Sequence, residues 1–387
     1  MKLKDSILLI DDTPSKRELL LKALEDEFAD GSVHIQTVTD QNVDEYLPVK
    51  DDGLNKGIRS GAPEDRLSFY LQNNPNIKLV IVDHDLSLLE SQMSESVVAA
   101  ACQNAGVPHC RYSRTTGFQT TRQQLLELVE KSQVYSIKID IRDIESFDFG
   151  NQPVCLSTIR NIYEGFEQLR CLIFRMDKEM LNKGPAAILS SILGYPGLEP
   201  MFQQYATSYS VMAEILKIRE IMDGDTKTEF EPIIRHRLSY ILGFWLYNVI
   251  LKYPGILLNE VAASSYVNLD VDCFLKNKDA FSDAKYQGPF SKMNNHSYWW
   301  RYKLDDILID NDCEDGINYL QSQGIDDLKP SVCHVSKDTP AGFYCLFTKS
   351  PISLEHSVGS LSWMPNGADL SRVSKDLYDE VAPFLGF

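Results

Sequence analysis

Several features that mark common protein classes are missing from this chain of 387 residues. Its eight cysteines are scattered and form no CxxC pair, which argues against a zinc knuckle or a disulfide framework and favours reduced thiols in a core. No segment has the ~18 uncharged apolar residues that a membrane span needs. Residues 1–5 lead straight into an apolar strand rather than a signal peptide. We therefore expect a soluble, cytoplasmic protein that does not contact a membrane.

Basic residues are also scarce. The chain has 38 Lys and Arg against 55 Asp and Glu, a formal net charge of −17. The acidic excess is divided almost evenly, with −8 in residues 1–145 and −9 in the remainder. Neither part has the basic surplus that phosphate backbones attract, so a nucleic-acid partner is disfavoured.

Carboxylates follow directly after two apolar runs in the first part of the chain. Asp11 and Asp12 follow residues 7–10, and Asp83 follows residues 79–82. Apolar runs of this length are typical of parallel strands buried on both faces, whose carboxyl ends meet at one edge where ligands bind. Three converging carboxylates repel one another, and a hard cation such as Mg²⁺ removes that repulsion. The sequence therefore predicts a magnesium site at this edge.

Strand-like and helix-like segments alternate over residues 1–145. We predict strands at 5–10, 33–38, 78–82, 107–112 and 134–138, and helices beginning near Pro14 and at 64–73, 88–104 and 119–132. Residues 48–63 are rich in Gly, Asp and Lys, and are interpreted as a loop insertion. This alternation predicts an α/β domain with a doubly wound, five-stranded parallel sheet of the flavodoxin-like type.

Residues 146–387 have a different pattern. Helical periodicity appears at 156–182, 207–223, 231–252, 256–277 and 297–322, a strand-like run at 343–347 and a last helix near 370–384. We predict a mainly α-helical domain with a small mixed α/β tail, which is a candidate subdomain from ~325. This part has no Gly-rich phosphate loop, nucleophile elbow or HExxH motif, so its activity is left unspecified.

The order of the pocket residues in the first part resembles the receiver domain of bacterial two-component response regulators. The family's acidic pair falls on Asp11 and Asp12, and its phosphoacceptor falls on Asp83. The residue whose backbone carbonyl completes the family's metal site falls on Asp85. The resemblance implies that Mg²⁺ binds to these four residues.

Three further positions complete the resemblance. The family's hydroxyl after the fourth strand falls on Ser113 and its lysine at the end of the fifth on Lys138. These side chains are implied to bind phosphoryl oxygens. The family's aromatic switch position falls on Tyr135.

The chain also departs from the family. Arg114 replaces the small residue that follows the hydroxyl, where it either crowds the phosphate entrance or clamps the phosphate. Ile139 replaces the proline after the lysine, and Ser87 replaces the proline after the phosphoacceptor. These departures leave open a pseudo-receiver, in which the fold is kept for docking alone.

Other candidate residues have plainer interpretations. His84 is expected on an exposed loop, and the basic run 235–237 on a solvated helix face. Residues 258–278 have the spacing of a helix-turn-helix, but the second helix would carry Asp270 and Asp272 and few donors to base edges. Trp299 and Trp300 are interpreted as packing residues of a core or interaction surface.

These observations predict a response-regulator-like signalling protein, a phosphoacceptor rather than an enzyme. A sensor histidine kinase would phosphorylate Asp83 and thereby control a helical output domain, in a homodimer or a larger assembly. The alternatives are a pseudo-receiver that serves as a scaffold and, disfavoured by charge, a DNA-binding transcription regulator.

Overall fold

The computed structural model describes residues 4–39, 41–47, 62–86, 93–113, 136–140, 152–206, 231–292 and 296–382. The chain divides into two compact units. The first contains the described residues of Met1–Phe118, Gln133–Asp177 and Glu214–Phe244. The second contains those of Lys178–Ala213 and Trp245–Phe387. The predicted domain boundary near residue 145 stays a prediction.

A five-stranded parallel sheet forms the centre of the first unit. Its strands are β1 (Asp5–Ile10), β2 (Val33–Val38), β3 (Ile77–Asp83), β4 (His109–Ser113) and β5 (Ile137–Asp140). They pair in the order β2-β1-β3-β4-β5, all parallel. This agrees with the predicted flavodoxin-like sheet. Every residue of β3 is buried, as its unbroken apolar run indicates. The fourth strand begins two residues later than predicted, and the fifth ends two residues later.

Helices flank this sheet and make up much of the second unit. Numbered along the described residues, they are α1 (Pro14–Glu27), α2 (Val43–Tyr46), α3 (Pro63–Asn73), α4 (Glu95–Ala105), α5 (Gln152–Phe174), α6 (Lys178–Leu181), α7 (Pro185–Ile192), α8 (Glu199–Tyr205), α9 (Glu231–Trp245), α10 (Glu260–Tyr266), α11 (Val271–Lys276), α12 (Arg301–Asp310), α13 (Gly316–Ser322) and α14 (Lys375–Val381). A π-helical turn, Leu246–Ile250, continues α9.

Two predicted helices have wrong boundaries. The helix predicted at 88–104 begins at Glu95, because the Ser94 side chain caps it by accepting a hydrogen bond from the Val97 amide at 3.3 Å. The helical periodicity predicted at 156–182 begins earlier, at Gln152, and is divided between α5 and α6. The helices predicted at 119–132 and 207–223, and residues 48–61 of the predicted insertion, lie outside the described residues.

The second unit contains more strand than expected. A four-stranded sheet joins β8 (Phe343–Cys345), β9 (Pro351–Ile352), β10 (Ser357–Gly359) and β11 (Ser371–Ser374), and β6 (Leu257–Asn259) pairs antiparallel with β7 (Tyr298–Trp300). The starts of the helices predicted at 297–322 and 370–384 were therefore wrong. Trp299 and Trp300 belong to β7 and are buried, as expected of packing residues. Three successive aromatic residues favour a short strand over a helix.

Helix α5 is part of the first unit and packs beside α1. The Arg160 guanidinium lies 3.1 Å from the Glu27 carboxylate and 3.1 Å from that of Asp30. The Tyr163 hydroxyl donates to the Asp5 carboxylate at 3.1 Å. These contacts give α5 the place beside α1 that a doubly wound sheet provides for its last helix.

Helix α9 also belongs mainly to the first unit, and its basic run is not a solvated face. Arg235 is buried and donates to the carbonyls of Ile173 (2.6 Å) and Met176 (2.9 Å) at the end of α5. Arg237 donates to the Asn104 carbonyl at 3.0 Å. Carbonyls at helix ends lack intrahelical donors, so these arginines satisfy them.

The contact between α9 and α5 predicts the effect of one added methyl group. A Cβ at Gly243 would collide with the Phe166 ring. Gly243→Ala should therefore destabilise the first unit by about 1–3 kcal/mol, despite the better helix propensity of alanine. Urea denaturation followed by circular dichroism measures this change.

Gly342 provides the matched control, because a Cβ added there would meet nothing within 4 Å. Gly342→Ala should change the free energy of unfolding by no more than about 0.5 kcal/mol. Equal midpoints for the Gly243→Ala variant and the wild type would contradict the packing described for α9.

Candidate metal centre

The carboxyl edge of the five-stranded sheet holds an acidic crevice. In the strand order β2-β1-β3-β4-β5 the connections reverse direction between β1 and β3. Open α/β sheets bind ligands at such a reversal, because the loops on either side diverge and leave a crevice. Asp11 and Asp12 follow β1 there, and Asp83 is the last residue of β3.

These three carboxylates lie close enough to share one ion. Each offers an oxygen, and the three oxygens lie within 4.8 Å of one another. The residues are 0%, 5% and 7% exposed, in the order Asp11, Asp12, Asp83. At an effective dielectric constant of ~20, two unit charges at this distance repel by about 3 kcal/mol. The three carboxylates therefore converge as predicted, and their combined negative charge requires a compensating proton or cation.

Thr13 orients two of the carboxylates through its amide and its hydroxyl. The Thr13 amide donates to Asp11 Oδ1 at 2.7 Å, and the Thr13 hydroxyl donates to Asp12 Oδ1 at 3.2 Å. Arg17, one turn into α1, donates to the Asp11 backbone carbonyl at 2.8 Å. These hydrogen bonds hold the loop after β1 in place but do not neutralise the cluster, since the arginine binds a carbonyl.

Asp83 has a strongly perturbed acidity. Burial and then the charge of Asp11 raise its pKa from 3.8 to about 6, although the Asp85 and His84 amides and Lys16 act in the opposite direction. Because the native carboxyl holds a proton more tightly than the unfolded chain does, ionising it makes the metal-free fold less stable as the pH rises from about 4 to 6. A bound cation removes this penalty.

Tyr112 is a site residue that the sequence analysis missed. It lies directly opposite Asp83 in the pairing of β3 with β4, and its buried hydroxyl donates to Asp11 Oδ2. Burial and the charge of Asp11 hold the pKa of this phenol well above its usual range, so it stays protonated and acts as a donor. The sequence offered one indication of this role, because Tyr112 is the second-last residue of a strand that neighbours β3.

The other predicted residues are placed as follows. The Asp85 amide lies 3.5 Å from Asp83 Oδ1, at the entrance of the crevice. Ser113 ends β4, and half-buried Lys138 lies opposite Arg111 within β5. Tyr135 and Arg114 lie outside the described residues.

The fifth strand also extends past its lysine. Lys138 does not end β5, because Ile139 and Asp140 follow it in the strand, and Asp140 pairs with Ser113. His84 is exposed, as expected, and its Nδ1 lies 2.6 Å from the Glu95 carboxylate.

The donor set is suited to a hard cation. All three side chains offer carboxylate oxygens, and among the described residues no other group of three or more His, Cys, Asp or Glu side chains meets this spacing. Oxygen donors without sulfur or imidazole favour Mg²⁺, Ca²⁺ or Mn²⁺ over zinc or copper. The cluster can therefore hold a metal ion.

Comparison with models of known protein families and with curated protein sequences finds no match for this chain. Within the part of the chain that the structure describes, no helix combines the length and apolar character needed to cross a membrane. The likeness to receiver domains therefore rests on the sheet order and on the acidic cluster at its edge.

The raised pKa of Asp83 predicts how metal binding depends on pH. Below pH 6 a proton competes with the cation for this carboxylate. Magnesium affinity should therefore be about tenfold weaker at pH 5 than at pH 7. Calorimetric titrations in two buffers of different ionisation enthalpy test both the affinity and the proton released near pH 6. Equal affinities across this range would contradict the assignment of Asp83 as a ligand.

Tyr112 generates a second prediction. Tyr112→Phe removes a donor that competes with the cation for Asp11, so magnesium should bind about fivefold more tightly, equivalent to ~1 kcal/mol. The metal-free variant should melt at a lower temperature than the wild type, because Asp11 loses its hydrogen bond. Saturating magnesium should reduce this difference in melting temperature between Tyr112→Phe and the wild type. If Tyr112→Phe instead binds magnesium more weakly, the phenol supports the metal site rather than competing with the cation.

Proposed function

We propose that this chain is a response-regulator-like signalling protein that accepts a phosphoryl group on Asp83. One observation carries the proposal: Asp11, Asp12 and Asp83 converge at the reversal point of a parallel sheet ordered β2-β1-β3-β4-β5. The sheet alone would not suffice, because this architecture supports many activities. The acidic cluster supports the proposal, because a carboxylate nucleophile toward a phosphoryl group needs a cation beside it.

In the proposed reaction a carboxylate oxygen of Asp83 attacks the phosphorus of a phosphohistidine. The O–P bond forms as the P–N bond breaks, and the electron pair returns to the imidazole of the donor. Asp11, Asp12 and Asp83, with the Asp85 carbonyl, would hold Mg²⁺, which would supply positive charge to offset the carboxylates and the incoming phosphoryl oxygens. Ser113 and Lys138 are proposed to contact those oxygens.

The proposed phosphodonor is a sensor histidine kinase. Phosphorylation adds negative charge at Asp83 and changes the balance of hydrogen bonds around Asp11 and Tyr112, both of which lie beside it. We propose that this change alters contacts within a homodimer or a larger assembly, and so controls the output of the second part of the chain.

A pseudo-receiver is the second candidate, and the pairing of β5 favours it. Ser113 lies opposite Asp140, and Lys138 lies two positions further back from the edge. The resemblance places this lysine at the end of its strand, so the Lys138 backbone lies further from the phosphoryl site than the family's pattern requires. In this alternative the cation site is structural, and the first unit serves only as a docking module.

Chemical phosphorylation separates the two candidates. The full-length protein is incubated with acetyl phosphate or phosphoramidate and Mg²⁺, and the acyl phosphate is detected on a phosphate-retarding gel and by its lability to hydroxylamine. We expect Mg²⁺-dependent labelling that Asp83→Asn abolishes. Asp85→Asn is the matched control, because only the backbone of this neighbouring residue is assigned to the site, and it should still be labelled.

Each outcome decides between the candidates. Absence of labelling in a folded protein that binds magnesium would favour the pseudo-receiver. Labelling that persists in the Asp83→Asn variant would assign the phosphate to another residue and overturn the proposal.

A further inference from the structure

The amino edge of the same sheet encloses a cavity of about 260 Å³. Its walls come from the end of α3, the start of β3, the α4–β4 turn, α5 and α9, all within the first unit. Lys78 and Asp83 lie five residues apart on β3, or roughly 16 Å along the strand. The cavity is therefore separate from the acidic crevice.

Lys78 gives this cavity a buried positive charge. The residue is 9% exposed, and its ammonium group donates to the Pro75 carbonyl. No carboxylate of the described residues lies within 4 Å of its nitrogen. A buried ammonium without a close counterion is unfavourable, since a carbonyl dipole replaces only part of its hydration. Burial, and then the charge of Arg170, lower the pKa of Lys78.

The other ionisable groups of the cavity leave this charge uncompensated. Arg170 is paired with Glu167, its Nε lying 2.9 Å from the carboxylate, so these two charges cancel. His236 is neutral at pH 7, because burial and the charges of Arg170 and Lys78 lower its pKa to about 4. Asp5 lies near enough to act on Lys78 but is not among the residues that line the cavity. The lining therefore has a net charge of about +1 when Lys78 is protonated.

Apolar and aromatic groups form the remaining walls. Phe166 from α5 and Tyr240 from α9 line the cavity, together with Val107 and Pro108 from the turn before β4. The cavity is slightly smaller than the range of about 300–1,000 Å³ usual for drug-sized ligands, and its mostly apolar walls with one buried cation suit a smaller organic molecule.

We propose that this cavity binds a small organic monoanion, with its carboxylate directed to Lys78 and its apolar or aromatic body between Phe166 and Tyr240. The single positive charge matches a carboxylate better than a phosphate dianion. Such a ligand contacts the start of β3 and both α5 and α9, and so stabilises the packing of these helices on the amino edge of the sheet. This site is independent of phosphorylation at Asp83.

Thermal unfolding of the full-length protein tests the proposal, with sodium benzoate as the probe. Benzoate in the millimolar range should raise the unfolding temperature in a saturable manner, whereas neutral benzamide, inorganic phosphate and sodium chloride at equal ionic strength should not. Lys78→Met should weaken benzoate binding by about tenfold or more, because the charged partner is lost. Lys22→Met, on the exposed face of α1, controls for a change of net charge and should bind as the wild type does.

If Lys78→Met folds poorly, a variant that changes only the volume of the cavity gives a second measurement. Val107→Phe fills part of the cavity and leaves every charge in place, so it should also weaken benzoate binding. No saturable effect of benzoate on the wild type would overturn the proposal, as would equal binding by the wild type and a folded Lys78→Met or Val107→Phe variant. Equal stabilisation by phosphate would overturn the assignment of an organic monoanion.

Discussion

The carboxyl edge of the first unit depends on how the mutual repulsion of three buried carboxylates is compensated. Asp11 and Asp12 follow β1 and Asp83 ends β3, and both strands are held by pairing on two sides. Their backbones therefore cannot separate to relieve the repulsion. A donor such as Tyr112 disperses charge on one carboxylate without removing it. Only a proton or a cation compensates the cluster, and burial together with the charge of Asp11 raises the pKa of Asp83.

Strand β3 connects two polar sites of opposite sign. Its carboxyl end carries the acidic cluster, and Lys78 near its amino end carries a buried positive charge. Between them lie the residues Leu79–Val82, which are completely buried. At a separation of roughly 16 Å and an effective dielectric constant of ~20, two unit charges interact by only about 1 kcal/mol. Direct electrostatic coupling between the acidic crevice and Lys78 is therefore weak, and a ligand in the proposed cavity would influence the crevice mainly through the packing of the helices.

The sequence was sufficient where a local pattern determined the structure. Apolar runs followed at once by acid predicted β1, β3 and the convergence of Asp11, Asp12 and Asp83. Tyr112 was missed because its role depends on which residue of β4 pairs with Asp83, and this register is set by tertiary packing. Arg235 was misjudged for a similar reason: its partners are carbonyls of α5, about 60 residues away along the chain. The aromatic run Tyr298–Trp300 favours a strand by itself, but the helical periodicity of the residues that follow extended the predicted helix over it, and only the pairing with β6 separates the two.

Charge balance at the crevice links the proposed phosphorylation to the cation. A phosphoryl group carries about −1.5 to −2 at neutral pH, so converting Asp83 into an acyl phosphate makes an already repulsive cluster more negative. Lys138 offers one positive charge in β5. This single charge leaves the phosphorylated cluster strongly negative, whereas a divalent cation would offset most of the added charge. Under the proposed function, the phosphorylated site would therefore need a bound cation for its charge balance. A pseudo-receiver that serves only as a docking module would not depend on a bound cation in this way. Its carboxylates could be compensated either by protons or by a cation, without any change in function.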